Sequence, residues 1–153
     1  MSDLPGVHII RQRVATAVAA ALPNVRESVF HPKLIGYDGA GIVGAFFSVE
    51  VPSTRITDPR NRVVTRRQGD MSVRVETAVL IRYLHRLKAD TSKASYDDAI
   101  QAEFRILSAL GDIDFSRTNV LVPGGMDREV VADGSWVLIT ISGTIAHGLG
   151  GDG

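Results

Sequence analysis

The chain has 153 residues, with seventeen basic and seventeen acidic side chains and no cysteine. An apolar content of 44% and a charged content of 22% are those of a globular protein and exclude wholesale disorder. The absent cysteines exclude disulfides, thiolate metal sites and thiol nucleophiles, and the balanced charge offers no overall field toward nucleic acid or an anionic membrane.

No uncharged apolar stretch reaches the ~20 residues that span a bilayer. The start MSDLPGVHIIRQR lacks the basic region, apolar core and small-residue cleavage site of a signal peptide. The expectation is one soluble cytoplasmic domain over 1–153, large enough for a core of its own.

Val7 to Leu22 reads as a helix. Ile10, Val14, Ala17, Val18 and Ala21 recur on one face, and Pro5 and Pro23 bracket the segment. Val25 to Phe30 alternates and is expected to be a short strand. His31 to Gly41 carries structure breakers, has no period, and reads as a loop. Ile42 to Val51 is rich in β-branched and aromatic residues and reads as a strand. Gly44 within it marks a bulge or a close backbone contact.

Pro52 to Asp70 is expected to be an irregular arm. It holds Arg55, Arg60, Arg62, Arg66 and Arg67 against only Asp58 and Asp70. A groove for single-stranded nucleic acid interleaves aromatic side chains for stacking, and this segment has none. These five arginines are the candidate interface residues, with an acidic surface on a partner protein as their target. The plainer reading is a solvated basic loop.

Met71 to Leu87 alternates strongly. Val73, Val75, Thr77, Val79, Ile81, Tyr83 and Leu87 share one parity, and Arg74, Glu76, Arg82 and Arg86 share the other. That is a long strand with one dry and one mixed face. A strand from Val73 to Leu87 spans about 50 Å, whereas a domain of this size is roughly 40 Å across. It must bend, break or reach past its own domain toward another chain.

A second helix is expected from Ser95 as N-cap, with Asp97 and Asp98 in its first turn and Gly111 as its stop. Tyr96, Ala99, Ile100, Glu103, Phe104, Leu107 and Leu110 make its apolar stripe, Glu103 interrupting it. Thr118 to Pro123 reads as a strand, Gly124-Gly125 as a tight reversal, and Arg128 to Ala132 as the returning strand. Asp133-Gly134 is a turn, Ser135 to His147 the last long strand, and residues 149–153 a glycine-rich flexible tail. On that last strand Thr140, Ser142 and Thr144 form a flat uncharged face suited to packing on a partner. Helix, strands, helix, strands in that order point to an α+β domain. Its sheet is mainly antiparallel, with the two main helices packed on one face.

Chemical signals are weak. His8, His31, His85 and His147 never fall at metal-clamp spacing. His85 and His147 lie on dry strand faces and read as structural histidines. Asp97 and Asp98 are helix neighbours that point apart. No phosphate-cradling glycine loop or nucleophile elbow occurs. No catalytic, metal or cofactor site is expected, and no enzyme.

The run VRVETAVLIRYLHRLKADTSKASYDDAIQAEFRILSAL (73–110), followed by DGSWVLITISGTIAH (133–147), resembles the tail terminator proteins of long-tailed bacteriophages, also called tail completion or minor tail proteins. The shared features are a long strand ending in a basic patch (Arg82, His85, Arg86), the ASYDDA helix start, a hairpin region and the closing strand DGSWVLITI. The resemblance implies an α+β subunit of a six-fold ring, with no chemistry of its own. The ring would cap a finished tail tube, stop its polymerisation and present the surface that joins the head connector. The implied partners are further copies of the chain, the tube protein and the connector, with genomic DNA only passing through the channel. The implied location is the virion tail or neck, with the host cytoplasm during assembly. Three rival readings are another neck or connector component, a small enzyme or ligand-binding domain with a pocket near His85 and His147, and DNA binding through the arginine arm.

Overall fold

In the computed structural model, which describes residues 6–28, 45–56, 73–88, 92–113, 121–131 and 134–149, five strands form one sheet and two helices cover one of its faces. The fold class is α+β, as the order of elements implies. In chain order the elements are α1 (Val7–Ala21), β1 (Arg26–Glu27), β2 (Ala45–Ile56), β3 (Val73–Arg86), α2 (Ser92–Gly111), β4 (Leu121–Val131) and β5 (Trp136–Leu149). The strands lie side by side as β1-β2-β3-β5-β4. Among the described strands only the β1–β2 pair is parallel.

Helix α1 forms where the apolar spacing places it. Ile10, Val14, Ala15 and Val18 are its buried line. Gly6, in extended backbone, is its N-cap and accepts hydrogen bonds from the Ile9 and Ile10 amides at 2.9 and 3.1 Å. The first expected strand shrinks to two residues, Arg26 and Glu27, and the Ser28 amide bonds the Phe47 carbonyl at 2.6 Å. The expected loop at 31–41, Gly44 and most of the arginine-rich arm lie outside the described residues.

Strand β2 runs on to Ile56, past the expected boundary at Val51. Pro52 cannot donate to a ladder, and the chain accommodates it with a bulge. Glu50 faces Leu80 and Ser53 faces Ala78, so Val51 and Pro52 together oppose one residue of β3. The arm therefore begins as sheet: Pro52, Ser53, Thr54 and Arg55 belong to β2.

Strands β3 and β5 pair residue for residue, from Val73 with Leu149 to Arg86 with Trp136. Each has 14 residues, about 46 Å at 3.3 Å per residue. The long strand does not reach out alone, because a second long strand shadows it over its whole length. Their dry parity faces the helices. Val79, Ile81, Tyr83, Val137, Ile139, Ile141 and Ile145 pack with Ile10, Val14 and Val18 of α1 and with Ala99, Ala102, Ile106 and Leu110 of α2.

Three local expectations are corrected. Helix α2 starts at Ser92, one turn before the expected cap, so Asp97 and Asp98 lie beyond the first turn. Ser95 is buried inside the helix, and its hydroxyl accepts a hydrogen bond from the Lys88 amide at 3.3 Å. That bond ties α2 to the end of β3. The stripe on α2 is also rotated: Ser95, Ala99, Ala102, Glu103, Ile106 and Leu110 are buried, while Phe104 is 70% exposed.

The glycine pair does not reverse the chain. β4 continues through Gly124-Gly125, and Gly124 is the extra residue of a bulge between Pro123 opposite Gly143 and Gly125 opposite Ser142. Opposite it, Gly143 is required. A β-carbon there would sit 2.9 Å from the Val122 carbonyl oxygen, so the two strands could not approach as they do. The true reversal is the second glycine turn. Gly134 has φ 87°, a conformation that side chains rarely adopt, and Val131 then pairs with Trp136 across the hairpin.

Candidate assembly surface

The sheet face away from the helices divides into two ends. At one end Phe46, Leu84, Trp136 and Leu138 form a second apolar cluster, with Val131 packed against it. Phe46 and Trp136 stack with centroids 6.0 Å apart, and the Arg86 guanidinium lies 5.9 Å from the indole. At the other end the face is small and polar. Thr140, Ser142 and Thr144 of β5 lie there, half-buried, beside Ala78 of β3. Between the ends, Arg82 donates to Glu50 across the β2–β3 pair.

Arg55 is the one candidate arginine among the described residues, and it is not in an arm. It closes a cross-strand pair with Glu76, at 2.7 and 3.1 Å. Its side chain is 77% exposed, so the pair adds little to stability. It fixes where the guanidinium leaves the sheet. Arg60, Arg62, Arg66 and Arg67 lie outside the described residues.

The histidines do not converge. His85 lies opposite Val137 and His147 opposite Val75, ten residues apart along β3 and so about 33 Å from each other. No pocket can use both, which removes the shared site that the ligand-binding reading placed there. His147 is fully buried, and its Nε2 lies 2.6 Å from the Thr77 hydroxyl, which lies 2.9 Å from the Thr54 hydroxyl. Thr77 is the middle of this chain and is itself fully buried. Thr77→Val keeps the shape and deletes both contacts. It is expected to cost about 2 kcal/mol, because buried polar partners lose a bond. Thr54→Val, at an exposed position, is expected to cost well under half as much. Urea denaturation of both variants checks the order.

At the far end of β3, the Tyr83 hydroxyl and His85 Nδ1 lie 2.7 Å apart. Burial raises the Tyr83 phenol above its ordinary value, so it stays protonated. Burial also holds the His85 imidazole below its ordinary value, with Asp98 pulling the other way and Lys88 assisting. The folded chain thus prefers neutral His85, while the unfolded chain takes up the proton near pH 6.5. Below that pH the unfolded state binds more protons, so this group's contribution is present above about pH 6.5 and is lost as the pH falls toward the lower folded value. Urea midpoints at about pH 5 and 7.5 should differ less in His85→Gln than in the wild type.

On the helix side, Glu103 of α2 is 3% exposed. Arg128 of β4 meets it with two bonds of 2.7 Å. The hydrogen bonds to Glu103 and its charge raise the guanidinium further above its ordinary value. The apparent polar interruption of the α2 stripe is therefore the strut that holds α2 to the outermost strand. Sequence spacing gives no hint of this, since Glu103 and Arg128 are 25 residues apart.

Among the described residues no three His, Asp or Glu side chains are grouped to hold a metal ion. Nor is any helix there long and apolar enough to cross a membrane.

The architecture is α+β, a mainly antiparallel sheet with two helices on one face. No protein-family model matches the chain, and no curated protein matches it in sequence. Among solved structures, a chain from the virion of a native gene transfer agent (GTA) particle has a similar fold. Its TM-score is 0.52 at 14% sequence identity, over 92% of this chain and 95% of that one. The likeness is one of fold.

Proposed function

We propose that this chain is a structural protein of a virion and acts as a tail terminator. Copies close into a ring, six-fold as in the family it resembles. The ring caps the tail tube, stops its polymerisation and offers the surface that joins the head connector. The observation that carries the virion role is the fold likeness to a GTA virion chain over nearly the whole length of both chains. The finer role draws its support from the resemblance over 73–110 and 133–147 and from the small, uncharged row Thr140, Ser142 and Thr144 that β5 presents on the outer face. In this role the chain catalyses nothing. Its partners are its own copies, the tube protein and the connector, and DNA only passes through the ring. Its place is the tail or neck of the particle, reached by assembly in the host cytoplasm.

The test is co-assembly. Purified tube protein is polymerised with and without this chain, and tube lengths and ends are imaged by electron microscopy. Growth that stops, with a ring seated on one tube end, is the expected result. Tubes of unchanged length with bare ends overturn the tail-terminator role. Binding to the connector without binding to tubes moves the protein to the neck.

A further inference from the structure

The sheet ends in two edges, and along part of each the backbone has no neighbour among the described strands. β4 pairs only with β5. β2 pairs with β1 only at Phe46 and Phe47, and its other end, 53–56, has β3 on one side alone. Side chains at 52–56 and at 126–130 are all exposed. Among the described residues, Met126 and Ile56 are two of the five large apolar side chains left substantially in water, at 44% and 48%. An uncovered strand edge with apolar groups is a template for pairing with another chain. Neither 53–56 nor 126–129 contains proline or glycine, so each residue there supplies both an amide and a carbonyl.

The two edges match in direction, in face and in charge. Three antiparallel pairs link β2, β3, β5 and β4, so β4 runs opposite to β2. A copy whose sheet continues this one therefore meets β4 with an antiparallel β2. Ile56 pairs with Val75 and Met126 with Ile141, so both lie on the helix face. Arg55 pairs with Glu76 and Asp127 with Thr140, so both lie on the other face. One register satisfies both faces: Met126 opposite Ile56 of the next copy sets Asp127 opposite Arg55, whose exposed guanidinium already holds Glu76. The row then reads acid, base, acid. A slip of one residue throws Met126 and Ile56 onto opposite faces. A slip of two sets Ile56 against the Arg128 guanidinium in one direction and Arg55 against Gly125 in the other.

The hydrogen-bonding pattern agrees. Across successive antiparallel strands, the pairs of one row alternate between bonded and non-bonded, because each residue directs its amide and carbonyl to one side. In the row Val49, Ile81, Ile141, Met126, the first and third pairs are of one kind and the second of the other. The Ile56–Val75 pair is of the first kind, since Val75 and Ile81 share a parity on β3. A fourth pair, Met126 with Ile56 of the next copy, is of the second kind from either side, and the ladder continues without a mismatch.

We propose that β4 of one copy of the chain pairs antiparallel with β2 of the next, with Met126 opposite Ile56, Asp127 opposite Arg55 and Glu129 opposite Ser53. One sheet then runs through successive subunits. Two different edges joined in this way make a heterologous contact, which closes into a ring or runs on as a filament. Two β4 edges suit each other less well. Paired about Asp127 or about Arg128, they set like charges directly opposite one another. The inference rests on the ring reading for its closure, while the contact itself is tested separately.

The chain has no cysteine, so introduced thiols report the register directly. Met126→Cys and Ile56→Cys are purified separately, mixed in equal amounts and oxidised. Directly opposed residues have β-carbons about 5 Å apart, which a small adjustment brings within reach of a disulfide. The mixture is expected to give a covalent dimer, about tenfold or more above either variant alone. A chain carrying both substitutions is expected to give a ladder of covalent multimers, since within one copy the two strands lie three spacings, about 14 Å, apart. Ile56→Cys mixed with Asp127→Cys, one step out of register and on the opposite face, is expected to link poorly. Sedimentation velocity of the wild type over a roughly hundredfold concentration range is expected to show assembly, with far-UV circular dichroism as the folding control for every variant. If either cysteine variant loses its fold, Glu129→Cys mixed with Ser53→Cys gives the same reading. A folded wild type that stays monomeric throughout, or a mixture that links no better than the out-of-register pair, overturns the contact. A wild-type ring without the cross-link overturns this contact and leaves tube capping standing. Failure of the tube assay with the cross-link formed overturns capping and leaves the contact standing.

Discussion

Replacing Ile106 with alanine is expected to destabilise the fold by about 3 kcal/mol, and replacing Phe104 with alanine by less than about 0.5 kcal/mol. The two residues lie two positions apart on α2. Ile106 is fully buried among Ile10, Val14, Ile139 and other members of the core, whereas Phe104 is 70% exposed. Removing three carbons from Ile106 forfeits their transfer energy and leaves a cavity that packed neighbours fill only partly. Removing the Phe104 ring empties nothing, and alanine suits the helix better than phenylalanine does. For a chain of this length the first change lowers Tm by roughly 10 °C. The check is thermal unfolding at low protein concentration, so that association adds nothing to apparent stability. Equal losses for the two variants would return Phe104 to the core.

The same pair shows how far the sequence is legible. A helical period finds α2 and its length, but the helix carries two overlapping apolar lines. Ala99, Ala102, Ile106 and Leu110 make one, and Ile100, Phe104 and Leu107 the other. Ranking by hydrophobicity favours the line with the phenylalanine. Packing favours the line with small residues, because Ala99 and Ala102 let the helix sit close on the sheet. What decides between them is Glu103, which points inward only because Arg128 waits there. A partner 25 residues away leaves no local trace.

Alternation served better for the long strands. β3 and β5 lie close to where their period places them, and their dry parity is the one the helices cover. It fails where glycine and proline look like full stops. In β2 and β4 the chain absorbs Pro52 and Gly124 as bulges, because a neighbouring strand keeps pairing on either side of them. Turn chemistry predicts a reversal only when no ladder partner competes. Gly134 has none beside it and does turn. The candidate surface was legible only in part. The flat Thr140–Ser142–Thr144 row follows from alternation, but the residues that flank it on β3 and β4 follow from strand order, which is set by tertiary pairing.

Trp136→Ala is expected to cost about 4 kcal/mol, in the range for a buried aromatic residue. The indole is 3% exposed although it lies on the face away from the helices. It stacks on Phe46, packs with the fully buried Leu84 and with Leu138, and carries Arg86 near its ring. A sheet whose second face met only water would lose far less, since an exposed tryptophan contributes little to folding. The magnitude of the loss therefore measures whether this end of the sheet is a second core. Trp136→Phe retains most of the stacking and should cost less than half as much. The chain has one tryptophan, so fluorescence reports on this cluster alone, while circular dichroism reports on the whole fold. In the wild type the two probes should give one coincident urea transition. A fluorescence transition at lower urea would mean that the outer cluster opens before the helix-covered core. The outer cluster would then be a separate, less stable cooperative unit of the fold.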